Sequence, residues 1–257
     1  MPGLVKTEAV VLRSIRYGEA DRILHLYTPD RGRLSAIAKG VRRARSRFGG
    51  RLEPFFRLHI ELHEGRGELL TVTGAQTLDG YARLRGDVRT LDAAARACDA
   101  VGRLFETSEP HPSVFNLLCR MLSLLDERAS GAGETSLGWA AALTFRLKLL
   151  LAAGLAPQLG ACTSCGNGEQ LLGFSGAAGG MVCHTCWTSS DRFASFPLGG
   201  TAYQFMVEAL ARPLAEVPDG PDRALGEVER AISATLEHHA HLRLMPALGP
   251  LAGRPAR

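Results

Sequence analysis

Strict alternation of polar and apolar side chains through Arg57-Leu58-His59-Ile60-Glu61-Leu62-His63 predicts a strand with one buried face. Residues 7–15, 21–27, 33–39 and 69–75 are runs rich in Val, Ile and Leu, and each reads as a further strand. Turn chemistry separates them: Tyr17-Gly18-Glu19, then Thr28-Pro29-Asp30-Arg31-Gly32, then a segment containing Gly49-Gly50, then Gly65-Arg66-Gly67. Five short antiparallel strands in the first 80 residues suit a small closed barrel. The OB-fold is the five-stranded example, and an SH3-like barrel is the competitor.

After Asp79 the period lengthens. Residues 90–106, 113–127 and 136–153 place apolar side chains at three and four spacing, interrupted by Pro110-His111-Pro112 and Ser130-Gly131-Ala132-Gly133. Gly154 followed by Pro157 ends the third helix, because glycine supplies a left-handed cap and proline cannot continue the ladder. Residues 198–211 and 221–242 read as two more helices. The expected class is α+β and multidomain: a barrel over 1–80, a helical bundle over 81–160, a cysteine module over 161–190, helices completing the bundle over 191–245, and a frayed tail over 246–257.

Composition adds little until charge is mapped. With 46% hydrophobic and 22% charged residues, the 257-residue chain is ordinary for a globular protein. Its most apolar stretch, 143–156, is broken by Arg146 and Lys148, so a membrane span is not expected. The first residues lack the basic-then-apolar pattern of a secretory signal, and a cytoplasmic location is expected. Residues 1–80 hold 14 of the 30 Lys and Arg side chains but 9 of the 26 Asp and Glu. Between 31 and 51 lie Arg31, Arg33, Lys39, Arg42, Arg43, Arg45, Arg47 and Arg51, with no acidic residue among them.

Such a run has a direct use: guanidinium groups neutralise phosphates, release counterions and stack on exposed bases. Arginine's planar fork favours phosphate over point-charge contact. Phe48, Phe55 and Phe56 flank the run, and Tyr17 and Tyr27 lie on the first hairpin; each is either a stacking platform or barrel core. No G-x-x-x-x-G-K-[ST], H-E-x-x-H or G-x-S-x-G motif occurs, so neither nucleotide binding nor an enzymatic reaction is expected. His238, His239 and His241 read as a solvated helix end, and Glu61 and Glu64 fall on opposite strand faces.

Cysteine carries the sharpest local signal. Cys98 and Cys119 belong to apolar helical patterns, but Cys162-Thr163-Ser164-Cys165 and Cys183-His184-Thr185-Cys186 are two C-x-x-C pairs separated by 17 residues. That spacing predicts one structural Zn2+ held by Cys162, Cys165, Cys183 and Cys186, with disulfides, iron or free thiols as alternatives. Gly173, Gly176, Gly179 and Gly180 suit a hairpin leading to the second pair. Four thiolates leave no open position for a catalytic water.

Thr7-Glu8-Ala9-Val10-Val11-Leu12, Tyr17-Gly18-Glu19-Ala20-Asp21-Arg22-Ile23-Leu24, Tyr27-Thr28, Gly32, Ala38-Lys39-Gly40-Val41-Arg42 and Leu52-Glu53-Pro54-Phe55 together resemble the RecO family of bacterial recombination and DNA-repair proteins. The resemblance implies an OB-fold that binds single- and double-stranded DNA without sequence preference, anneals complementary strands, and works with RecR to load RecA on strands coated by single-stranded DNA-binding protein. It also implies a protein that associates with the nucleoid when bound to DNA. The acidic, apolar tail of single-stranded DNA-binding protein needs an apolar groove rimmed by a cation, and Arg146 and Lys148 on the third helix are the expected rim. The competing readings are an RNA-binding OB-fold protein and a zinc-stabilised adaptor.

Overall fold

The computed structural model of the chain describes residues 3–65, 67, 69–129, 135–189, 195–216, 218 and 220–247. It divides into two compact units, Met1–Gly131 and Ala132–Arg257.

In the first unit, strands β1 (Leu4–Tyr17), β2 (Asp21–Thr28), β3 (Gly32–Ala38), β4 (Arg57–His63) and β5 (Leu70–Asp79) close in the order β1-β2-β3-β5-β4. This is the expected five-stranded OB-type barrel. The β3–β5 junction is parallel and joins only Ala36 to Leu70 and Ile37 to Thr71; the other neighbours are antiparallel. Alternation fills the interior with Leu24, Leu26, Ala36, Leu58, Ile60, Leu62 and Val72. Burying each Leu or Ile side chain stabilises the barrel by roughly 1.5–3 kcal/mol. β1 is five residues longer than the nine-residue run expected because it pairs with both β4 and β2, shifting register between Val11 and Arg13.

A single 3-10 turn, Leu84–Gly86, leads into α1 (Val88–Leu104) and α2 (Pro112–Arg128). Asp87 caps α1 by accepting from the backbone N–H of Arg89 and Thr90 at 2.8 and 3.0 Å. The small stripe Ala93, Ala94, Ala97, Ala100 and Val101 is buried, as are Val114, Phe115, Leu118 and Leu122 of α2, and the two helices pack on each other.

The second unit holds α3 (Thr135–Ala152), α5 (Gly200–Ala211) and α6 (Asp222–His239) in mutual contact. It also holds a small sheet ordered β7-β6-β8, from β6 (Leu171–Ser175), β7 (Gly180–Cys183) and β8 (Ser195–Pro197), with the short helix α4 (His184–Ser189). From Ala140 to Leu150 every residue of α3 except Lys148 is buried, so this helix forms the centre of its unit. Within these units α1 and α2 fall with the barrel, and α3 falls with the C-terminal helices. The physical reason lies in helix surface. α1 and α2 each have one apolar stripe to bury, whereas α3 is apolar on all sides and needs partners around it.

The expected frayed tail is corrected at its start, since Ala247 is buried and donates its N–H to Glu229. The rest of that tail, 248–257, and the Ser130-Gly131-Ala132-Gly133 break lie outside the described residues.

A four-cysteine centre and a cationic barrel loop

Each cysteine pair sits where the backbone is pinned. Gly166, at φ 78°, donates its N–H to the Cys162 carbonyl at 2.8 Å, closing the first knuckle. The Cys162 N–H donates to the Asn167 carbonyl and the Thr163 N–H to the Met181 carbonyl, at 2.7 and 2.9 Å, so the knuckle is fastened to β7. Cys183 ends β7 and Cys186 lies in the first turn of α4. The hairpin expected from the glycines is present as β6 and β7.

The four Sγ atoms lie within 4.8 Å of one another, and those of Cys165 and Cys183 are 3.7 Å apart. A disulfide needs about 2.05 Å, and none of the four cysteines is in one. Thiolates at about 2.3 Å from a tetrahedral ion stand roughly 3.8 Å apart, so the donor set fits a metal. Burial opposes the Cys162 thiolate, but N–H groups of Cys183, Ser164 and Cys165 and the Cys165 thiol bring its pKa down to about 6. Hydrogen bonding to Cys165 and Cys183 pushes Cys186 up to about 12. Four sulfurs this close ionise together only around a cation. Cys162, Cys183 and Val182 form a small buried cluster with Leu171 and Trp187 packed on it.

The basic run divides into two groups. Arg31 pairs with Glu64 at 2.6 Å, and Arg33 donates to the Gly102 carbonyl at 2.9 Å with Glu106 at 3.7 Å. Lys39, Arg42, Arg43, Arg45, Arg47 and Arg51 are exposed on the loop from β3 to β4, and none of them pairs with a carboxylate among the described residues. Three of them instead donate to backbone carbonyls: Arg42 to Glu19, Arg47 to Val72, and Arg51 to Arg47 and Phe48.

What holds this loop is apolar. Phe48 and Leu52, each 2% exposed, enter the barrel core with Val41 packed beside them, and Arg47 lies over the Phe48 ring at 4.7 Å. Phe48, Phe55 and Tyr27 are thus barrel structure rather than exposed faces, and Phe56 is half-buried under Arg85 at 4.5 Å. Sequence reading missed the anchor from the first hairpin: Asp21 accepts from the Gly40 N–H at 2.7 Å, and the Ala20 carbonyl from the Arg42 N–H at 2.9 Å. An acid at a turn shows no partner in sequence.

Arg146 is not a rim cation. It is 5% exposed, donates to Glu229 at 3.2 Å and to the Met245 carbonyl at 2.5 Å, and shares Glu229 with the Trp139 indole N–H at 3.0 Å. Helical spacing puts Arg146 among buried side chains on every side, and burial is tolerable only because the charge is matched. Lys148 is half-buried, and desolvation lowers its pKa. His239 meets the Gly176 carbonyl at 2.8 Å. Among the described residues, the metal-competent group is the cysteine cluster, without the histidines.

The chain matches two family models, Recombination protein O N terminal over residues 1–81 and Recombination protein O C terminal over residues 85–245. It is 40% identical to DNA repair protein RecO of Rubrobacter xylanophilus, over 98% of this chain and 99% of that protein. DNA repair protein RecO of Anaeromyxobacter dehalogenans is 36% identical over 97% and 98%. That of Bifidobacterium animalis is 39% identical over 70% and 73%. The barrel, the helices and the four-cysteine centre therefore belong to a member of the RecO family of DNA repair proteins.

Proposed function

We propose that this protein binds DNA without sequence preference and anneals complementary strands in recombinational repair. In this reading it acts with RecR to load RecA on strands coated by single-stranded DNA-binding protein. The observation that carries the DNA-binding reading is the loop of six exposed cations, Lys39 to Arg51, that no carboxylate neutralises among the described residues. Two strands repel through their phosphates. A cationic loop that neutralises several phosphates on each lowers that barrier while base edges stay free to pair. Phe48 and Leu52 fix the loop's base in the barrel, so fewer conformations are lost on binding.

Zinc is the ion that suits the cysteine centre. Four thiolates are soft donors, and a d¹⁰ ion accepts their tetrahedron without a geometric preference of its own. Held there, it supplies cross-linking of the two knuckles and no chemistry on DNA. The protein acts by binding rather than by catalysis, in the cytoplasm and on the nucleoid.

A strand-annealing assay tests the reading. The wild-type protein accelerates pairing of complementary oligonucleotides, and a variant with Arg42, Arg43, Arg45 and Arg47 changed to Ala does not. Equal rates for both would sink the assignment of the loop. Competition between single-stranded DNA and RNA of one sequence separates the RNA-binding alternative, which requires RNA to win. An adaptor would keep its protein partner and show no DNA affinity at all.

A further inference from the structure

Strands β1, β2 and β3 carry a feature that the cationic loop does not use. Leu24, Leu26, Ala36 and Ala38 point into the barrel, so the odd-numbered positions of β2 and β3 point outward. Register sets Ile15 opposite Ile23 and Ile23 opposite Ile37, making one apolar row across three strands on the outer face. The row spans two strand spacings, ~10 Å. Tyr17 follows Ile15 on the same face, and the two are 53% and 36% exposed.

Each end of this face carries an arginine, and the hairpin-tip end also carries the exposed Glu19. On one side the next row is Arg13, His25 and Ser35, with His25 Nδ1 3.1 Å from Ser35 Oγ. Beyond it Tyr27 is fully buried, edge-on to Phe105 at 6.5 Å, and the open face ends there. On the other side the tip of the β1–β2 hairpin is tied to the cationic loop, where Arg42 donates to the Glu19 carbonyl at 3.1 Å. Asp21 lies on this face too, but its carboxylate accepts from the Gly40 N–H. Of the aromatics that flank the basic run or lie on the first hairpin, Tyr17 is the one left exposed.

We infer that this face is a base-contact platform selective for single-stranded DNA: Tyr17 stacks on one base, the Ile15–Ile23–Ile37 row takes the apolar face of the next, and Arg13 and Arg42 meet the flanking phosphates. The inference rests on the DNA-binding reading above. Charge complementarity selects a polyanion, and the apolar row between the cations selects one whose bases are unstacked. Duplex bases already stack on each other and offer no free face, so the duplex contacts the loop but not the platform. Tyr17 thereby sets strand preference, which the loop, reading phosphate alone, does not.

The test is fluorescence anisotropy with a labelled single strand and a duplex of equal length, using the wild type, Tyr17→Ala, Tyr17→Phe and the fourfold Arg-to-Ala loop variant. Loss of one base stack weakens single-strand binding by ~5- to 100-fold. Tyr17→Ala is expected to show that loss with duplex affinity changed less than twofold, and Tyr17→Phe, which keeps the ring, is expected to restore it. An unchanged single-strand affinity in Tyr17→Ala, or equal losses for both DNA forms, overturns the platform. If the loop variant loses binding while Tyr17→Ala does not, the platform alone fails; if the wild type binds neither DNA, the reading beneath it fails.

Discussion

Arg146 Nη1 stands 3.2 Å from Glu229 Oε1 in an ion pair whose side chains are 6% and 17% exposed. Glu229 also accepts from Trp139 and Ala247, so one carboxylate joins α3, α6 and the chain beyond α6. Removing one partner leaves the other buried without its counter-charge. Arg146→Ala and Glu229→Ala are each expected to destabilise the second unit by about 3–5 kcal/mol. Thermal unfolding followed by circular dichroism reads this as a lowered transition for both variants. A loss in neither would show that the pair is not part of the fold's support.

The pair also marks where sequence reading stops. Period-two and period-three-to-four patterns located the five barrel strands and the five long helices, because each strand or helix must turn an apolar face to a core. C-x-x-C spacing located the four sulfurs, because a knuckle is a local structure. Burial of Arg146 was not legible, because the carboxylate that permits it lies 83 residues away. Neither was the division of the basic run. Arg31 and Arg33 find Glu64 and Glu106 only after the barrel closes, and Phe48 plugs the core from within a segment that reads as a charged loop.

At the metal centre, changing any one of Cys162, Cys165, Cys183 or Cys186 to Ser leaves three thiolates and an open position. The variants are expected to lose zinc during dialysis against a chelator that the wild type withstands. Elemental analysis after dialysis checks this, and DNA affinity of each variant is expected to stay within about threefold of wild type. Iron in place of zinc in the wild type would overturn the ion's identity, and retention of metal by the variants would overturn the ligand set.

Close backbone approach makes Gly180 a second point of failure near that centre. A Cβ added there would lie 2.3 Å from the Gln158 carbonyl oxygen and 2.7 Å from its nitrogen, both backbone atoms with little freedom to retreat. Gly180→Ala is expected to cost about 1–3 kcal/mol and to weaken zinc retention, since the Gln158 bridge supports the β7 strand that ends in Cys183. Gly50→Ala, with nothing within 4 Å of the added carbon, is the control. Equal unfolding temperatures for the two variants would show that the hairpin moves aside without strain.

Salt dependence separates the two groups of cations. Each phosphate neutralised on a single strand adds about −0.7 to the slope of log affinity against log salt, so six engaged loop cations contribute about −4 to it. Changing Arg42, Arg43, Arg45 and Arg47 to Ala together is expected to flatten the slope by about 2.8, with every sequence weakened alike. Arg31 and Arg33 are already paired with Glu64 and Glu106, and a phosphate would have to displace those carboxylates. Their joint change to Ala is therefore expected to leave the slope within about 0.5 of wild type. If that double variant flattens the slope as much as the fourfold one, the DNA path runs over the Glu64 and Glu106 side of the barrel instead.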